Sequence, residues 1–148
     1  MGPINPPWKW TSACYLITMT EYLTRWVETE WVRDCTTAIA SRFLFDNVVT
    51  RFNCLKIFMS DQGSHFINCT ISAMIEEFQI QHKKSTLFHP QENGTIEAFN
   101  KVLEHVMKKV CTNNCDDWYL KIPMILRANQ TTCKLLIGKT PFKLVYVQ

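Results

Sequence analysis

The hydrophobic positions of this chain fall in short blocks whose spacing alternates between two periods. Residues 14–20 (CYLITMT) form an apolar run rich in β-formers, and 25–32 (RWVETEWV) interleave Trp and Val with charges; both predict strands. From Thr36 to about Arg51 the period lengthens, with Ile39, Phe43, Val48 and Phe52 near helical spacing and Asp34 or Thr36 available as a cap. Residues 55–59 (LKIFM) predict a strand that runs straight into Ser60-Asp61-Gln62-Gly63, turn residues that leave a carboxylate at its tip. Residues 68–78 predict a helix and 80–84 a short strand. After a polar loop at 85–94 around His89-Pro90, a long helix is expected from Thr95 to about Val110. Its apolar stripe is Ile96, Phe99, Leu103, Val106 and Val110, and its polar face is Glu97, Lys101, Glu104 and Lys108. A last helix over 116–129 opens on two acidic residues that suit its dipole and is interrupted or kinked near Pro123. Strands followed by helix–strand alternation, with no repeat or linker, predict one α/β domain.

A length of 148 residues suits one domain, and 47% hydrophobic with 20% charged residues excludes a disordered, collagenous or low-complexity chain. No run approaches the roughly 18 apolar residues of a membrane span, and the opening residues lack a signal-peptide profile. The net charge of +3 is unevenly spread: residues 1–100 carry eight Lys/Arg against ten Asp/Glu, and residues 101–148 eight against three. A basic last third suits a phosphate-facing surface or a solvated helix face. The seven cysteines (Cys14, Cys35, Cys54, Cys69, Cys111, Cys115, Cys133) are odd in number, contain no CxxC pair and have no His pair beside them. They are expected to be reduced and mostly buried thiols of an intracellular protein, not a disulfide or zinc framework.

Two carboxylates stand out by position. Asp61 lies at the C-terminal end of a predicted buried strand, where α/β sheets expose functional groups. Glu97 lies in the first turn of the predicted long helix, on its polar face, just after Asn93-Gly94. Carboxylates that converge from such places bind hard divalent cations through oxygen. Two such ions held ~3.5–4 Å apart activate a nucleophile and stabilise a leaving oxygen in phosphodiester chemistry. On residue type alone, a turn aspartate and a helix-start glutamate serve equally well as local structural groups.

The segments SDQGSHF (60–66) and HPQENGTIEAFN (89–100) resemble the catalytic core of retroviral and LTR-retrotransposon integrases, and 35 residues separate Asp61 from Glu97 as in that Asp-Asp-Glu family. Further matches are EYLTRWVE (21–28), RFNCLK (51–56), DDWYLKIP (116–123) and TPFKLVY (140–146), so the resemblance covers nearly the whole chain and is nearest to the Gypsy-type branch. It implies a ribonuclease H-like fold, a five-stranded mixed sheet flanked by helices, with the first strand truncated here. It also implies a Mg²⁺- or Mn²⁺-dependent polynucleotidyl transferase that trims the 3′ ends of element DNA and joins them to target DNA. Asp61 and Glu97 match the second and third metal-binding carboxylates. Gln91, Asn93 and Gly94 match a mobile loop that contacts the DNA end, and Lys101 matches a lysine on DNA phosphates. Lys101 also stands where an i,i+4 ion pair with Glu97 is expected. DNA and further copies of the chain are the implied partners, with no membrane or small-molecule substrate, and the nucleus is the implied location.

The family's first catalytic Asp would fall two residues before Met1, and Glu21 matches a second-strand position that is not a metal ligand. Phe88 stands for a common Tyr, Asn53 and Leu55 for a Gly and a Pro, Asn129-Gln130 for Tyr-Arg, and Val147 for a Gly. The family's zinc-binding N-terminal domain and C-terminal DNA-binding domain have no counterpart in 1–148, and His65, His82, His89 and His105 do not replace the former. The expectation is an integrase core that is inactive or weakly active as written. The alternatives are a non-catalytic DNA-binding or dimerisation module, a ribonuclease H-type hydrolase, and an unfolded remnant.

Overall fold

Two strands rich in β-branched and aromatic residues, β1 (Tyr15–Thr20) and β2 (Val27–Val32), pair antiparallel, from Tyr15 opposite Val32 to Thr20 opposite Val27. The computed structural model describes residues 2–4, 12–52, 55–60, 69–84, 90–110 and 118–147. They belong to two compact units, Met1–Arg33 with Gly94–Gln148, and Asp34–Asn93.

In the first unit the connection between β1 and β2 closes around Glu21. Its carboxylate accepts hydrogen bonds from the amides of Leu23 (3.0 Å) and Thr24 (2.6 Å) and from the Thr24 hydroxyl (2.5 Å). Arg25, with φ at 61°, lays its guanidinium over the Tyr22 ring. Burial alone would push the Glu21 carboxyl up, but the Thr24 hydroxyl, the two amides and the Arg25 charge outweigh it and hold the group below the ordinary glutamate range.

One face of the hairpin packs on two helices, α4 (Pro90–Val110) and α5 (Trp118–Thr131). Leu16 and Val27 join Phe99, Leu103, Ile122 and Ile125 in one buried cluster, with Ile4, Trp31, Val106 and Leu126 at its margin. Trp26 donates its indole N–H to buried Glu28 (2.7 Å), and buried Gln130 donates from Nε2 to the Val27 carbonyl (3.2 Å), tying α5 to β2. The short helix α6 (Pro141–Tyr146), capped by the Thr140 hydroxyl on the Lys143 amide, sets Tyr146 edge-on to Trp26 and Phe142 under Arg127. No helix was expected there, although Thr-Pro is a start signal: a side-chain cap followed by a proline at N1. On the core side of the sheet the hydroxyls of Thr18, Thr20 and Thr29 are buried without a hydrogen-bond partner, as is the Asn100 amide oxygen.

The second unit begins with α1 (Thr37–Leu44), whose N-cap is Thr36 rather than Asp34. The helix continues through a π-helical stretch, Phe45–Val49, into α2 (Thr50–Phe52). The wider turn explains why Phe43 and Val48, five residues apart, are both buried: at i→i+5 the extra residue is absorbed and Val48 returns to the inner face. A strand–helix–strand passage follows, β3 (Ile57–Ser60), α3 (Cys69–Glu77) and β4 (Gln81–Lys84), with β3 and β4 parallel and Phe58 opposite His82. Leu44, Val48, Phe58, Ile75 and Ile80 line one apolar hollow in this unit.

Three expectations are corrected. The long helix starts at Pro90, not Thr95, so positions 90–94 are helix and not loop. Proline is at home at the first helical position, and a 21-residue helix absorbs the cost of Gly94, about 1 kcal/mol. The last helix runs through Pro123 without interruption, and its expected start at Asp116 lies outside the described residues. The four described cysteines are free thiols and not mostly buried: Cys14 and Cys35 are half-buried, while Cys69, at the start of α3, and Cys133, just beyond α5, are exposed; Cys54, Cys111 and Cys115 lie outside the described residues. Among the described residues the sheets are the two-stranded pairs β1-β2 and β3-β4, and the five-stranded mixed sheet is not seen. No helix among them is long and apolar enough to cross a membrane.

Two outcomes are expected. Glu21→Gln should destabilise the chain by about 1 kcal/mol at neutral pH, a charged hydrogen-bond set discounted for partial exposure. Because the folded carboxyl is depressed, its contribution is present above the ordinary glutamate pKa and disappears as pH falls through the folded value. The melting-temperature gap between parent and variant therefore closes on acidification, and a gap independent of pH refutes the turn assignment. Thr29→Val removes a buried unpaired hydroxyl at constant shape and should raise stability by about 1 kcal/mol, read by denaturant unfolding.

Candidate functional site

The expected site draws on two stretches, the end of β3 and the first turns of α4. Asp61 follows β3 directly in the chain but lies outside the described residues. What the structure does describe is the residue before it. Ser60 closes β3, is 6% exposed, and its Oγ lies 2.9 Å from His82 Nε2. The His82 ring is in turn stacked on Phe58, centroids 5.3 Å apart at 27°. Sequence reasoning set His82 aside because no zinc-ligand partners surround it. The pairing of the two predicted strands in register is the signal that would have placed it beside Ser60.

On α4 the helical start carries the remaining expected residues. Gln91 and Asn93 lie in its first turn, and their side chains are outside the description. Gly94 is on the helix, where an added Cβ would meet nothing within 4 Å, so packing does not demand a glycine there. Glu97 and Lys101 are exposed, four residues apart on the face opposite buried Phe99 and Leu103. Among the described residues no salt bridge joins Glu97 to Lys101, so the lysine is not spent on its helical neighbour. Helix in place of the expected loop thus carries positions 90–94.

The chemistry of the donors suits a hard cation: Asp61 and Glu97 are carboxylates, the ligand type Mg²⁺ takes alongside retained water. Among the described residues no group of three or more His, Cys, Asp or Glu is placed to hold a metal. Glu21, the nearest substitute in sequence terms for a third carboxylate, is engaged by its own turn. Asn129 and Gln130, which replace a tyrosine and an arginine of the resemblance, have structural partners instead: Asn129 Oδ1 accepts from Lys134 Nζ and Gln130 holds Val27. Burial draws the Lys134 ammonium below the ordinary lysine range.

No known family profile matches the chain. The Gag-Pol polyprotein of gibbon ape leukemia virus is 25% identical over 134 residues, 89% of this chain and 8% of the polyprotein. That of avian reticuloendotheliosis virus is 25% identical over 133 residues, 89% of this chain and 11% of the polyprotein. The retrovirus-related Pol polyprotein from transposon 412 of Drosophila melanogaster is 20% identical over 132 residues, again 89% of this chain and 11% of the polyprotein. The chain thus spans about a tenth of the length of the curated relatives it matches. Among solved structures, the HTLV-2 integrase catalytic core domain, in complex with magnesium and in trimeric form, superposes with a TM-score of 0.70 at 16% identity. That match covers 88% of this chain and 84% of the other. The chain is a homologue of retroviral and retrotransposon Pol polyproteins that carries the α/β fold of an integrase catalytic core.

Proposed function

We propose that residues 1–148 are the catalytic core of a Gypsy-type LTR-retrotransposon integrase, a DNA-binding domain of a metal-dependent polynucleotidyl transferase. The observation that carries the reading is the combination of an integrase-core fold with Glu97 exposed near the start of α4 and, separated from it by 35 residues of sequence, Asp61 as the next residue in the chain after β3. The magnesium in the HTLV-2 core supports Mg²⁺ or Mn²⁺ as the ion that Asp61 and Glu97 would hold. When bound, such ions supply charge stabilisation and nucleophile activation at a phosphodiester. Exposed Lys101, one turn beyond Glu97, neutralises phosphate, and Gln91, Asn93 and Gly94 form the part of the helix start that meets the DNA end. Element ends and target DNA are the substrates and the nucleus is the place of work. The trimeric form of the HTLV-2 core and the exposed apolar side chains of Val102, Leu120 and Met124 support self-association.

Within residues 1–148 the resemblance matches two of its three carboxylates, Asp61 and Glu97, and the metal reading is tested on those two. The second reading is a binding module without chemistry, in which DNA binding is independent of metal and rests on the basic residues of 101–148, eight Lys/Arg against three Asp/Glu.

Binding and activity on one purified chain separate the two readings. Mn²⁺ at several times its Kd should stabilise the parent by about 1 kcal/mol, a rise of about 3 °C in melting temperature, lost in Asp61→Asn and in Glu97→Gln. Lys101→Glu should weaken DNA binding and lower the salt slope by about one unit. Stabilisation by Mn²⁺ that survives both carboxylate substitutions refutes the metal site and leaves the binding module. Mg²⁺-dependent strand transfer abolished by Asp61→Asn upholds the enzyme.

A further inference from the structure

Residues 118–147 hold five Lys or Arg (Lys121, Arg127, Lys134, Lys139, Lys143) and no Asp or Glu. Within this stretch, between α5 and α6, the chain doubles back on itself. Lys134 and Lys139 form an isolated antiparallel bridge, with the Lys134 amide donating to the Lys139 carbonyl (3.0 Å). The Lys134 carbonyl in turn accepts from the amides of Ile137 (3.0 Å) and Gly138 (2.8 Å). Gly138 has φ at 66°, the left-handed conformation that closes such a loop and that suits glycine. Lys134 Nζ donates to Asn129 Oδ1 on one side, and Thr140 caps α6 on the other, so the tip is held at both ends.

Leu135 and Leu136 stand on this tip 100% and 91% exposed. A single exposed leucine is ordinary, but an adjacent pair on a hydrogen-bonded turn is an apolar contact already ordered for binding. Lys139 closes the tip and Lys143 follows in the first turn of α6; both are exposed, and among the described residues neither is in a salt bridge. An apolar apex on a cationic base complements a surface with negative charge at its rim and apolar groups inside. The major groove of duplex DNA is such a surface. Phosphates line its rim, thymine methyl groups project within, and its width of ~12 Å admits a two-stranded ribbon. An anionic bilayer shares the charge, but two leucines bury less hydrocarbon than one myristoyl chain, itself a marginal anchor.

We propose, on the reading of this chain as a DNA-binding domain, that the 134–139 tip is a duplex-DNA contact. Leu135 and Leu136 enter the major groove against thymine methyl groups, and Lys139 and Lys143 neutralise the phosphates beside them. This contact is separate from Lys101 on α4 and needs no metal.

The test measures binding of the 148-residue chain to a fluorescent A·T-rich duplex by anisotropy across a salt series. The double substitution Leu135→Ser with Leu136→Ser is expected to bind about tenfold more weakly with an unchanged salt slope, because the lost groups carry no charge. Lys139→Gln is expected to lower the slope by about one unit. Uracil in place of thymine removes the methyl groups, and should cost the parent about fourfold and the double variant nothing. Both leucines are in water, so the melting temperature of the double variant should match the parent's. If it does not, the uracil duplex carries the test on the parent alone. Equal affinity of parent and double variant overturns the proposal and leaves the DNA-binding reading standing, as does a parent indifferent to uracil. A parent that does not bind the duplex at all removes both. Leucine-dependent binding to phosphatidylcholine–phosphatidylserine vesicles, with leucine-independent binding to DNA, overturns it in favour of a membrane surface. Leucine-dependent self-association in sedimentation, again with DNA binding unchanged, overturns it in favour of a second copy of the chain.

Discussion

Phe99 and Leu103, four residues apart and both buried against the β1-β2 hairpin, set the rotation of α4 about its own axis. At 100° per residue, Glu97 and Lys101 lie about 200° round from Phe99, and this is why they face solvent. Turning the helix to hide them would expose two large side chains, each worth about 2 kcal/mol or more of burial. The exposure of the candidate site on α4 is therefore a by-product of core packing on the other side of the same helix. The hairpin holds its half of that contact through polar fixings: Glu21 in its turn, and Gln130 of α5 on the Val27 carbonyl.

The same packing explains how a fold persists when identity falls to 16%. A core accepts many residue sets of similar volume if the pattern of inner and outer positions is kept. Leu16, Val27, Ile122 and Ile125 need only be apolar and well fitted, whereas Glu97 and Lys101 are free of packing demands altogether. Asn129 and Gln130 illustrate the intermediate case. Two positions that differ from the resemblance have hydrogen bonds, to Lys134 and to the Val27 carbonyl of β2, so their polarity is used where they stand.

Much of this was legible in the chain. The β-formers of 15–20 and 27–32, the helix at 69–77 and the strand at 81–84 appear within one or two residues of their expected bounds, because each is a short block with a clean period and a breaker at its edge. The exposure of Glu97 followed from the helical stripe alone. Where reading failed, two local signals competed. Asn93-Gly94 signals a turn, but Pro90 at a helix start and the long apolar stripe beyond it prevail. The Ser60–His82 contact depends on a parallel register that no local pattern encodes. Most cysteines were expected inside because cysteine is on average a buried residue, yet Cys69 at the start of α3 and Cys133 just beyond α5 are exposed. The expected five-stranded sheet came from resemblance and not from periodicity, and the described strands form two pairs.

The π-helical stretch at Phe45–Val49 has a consequence for how this chain varies in length. Its wide turn already accommodates one residue more than a regular helix would between Phe43 and Val48, both of which remain inside. Deleting a single residue there would convert the wide turn to an ordinary one and keep both anchors in phase, whereas the same deletion in α4 would rotate every downstream side chain by about 100°. The helix after β2 is thus a place where the in-frame loss of one codon is absorbed locally.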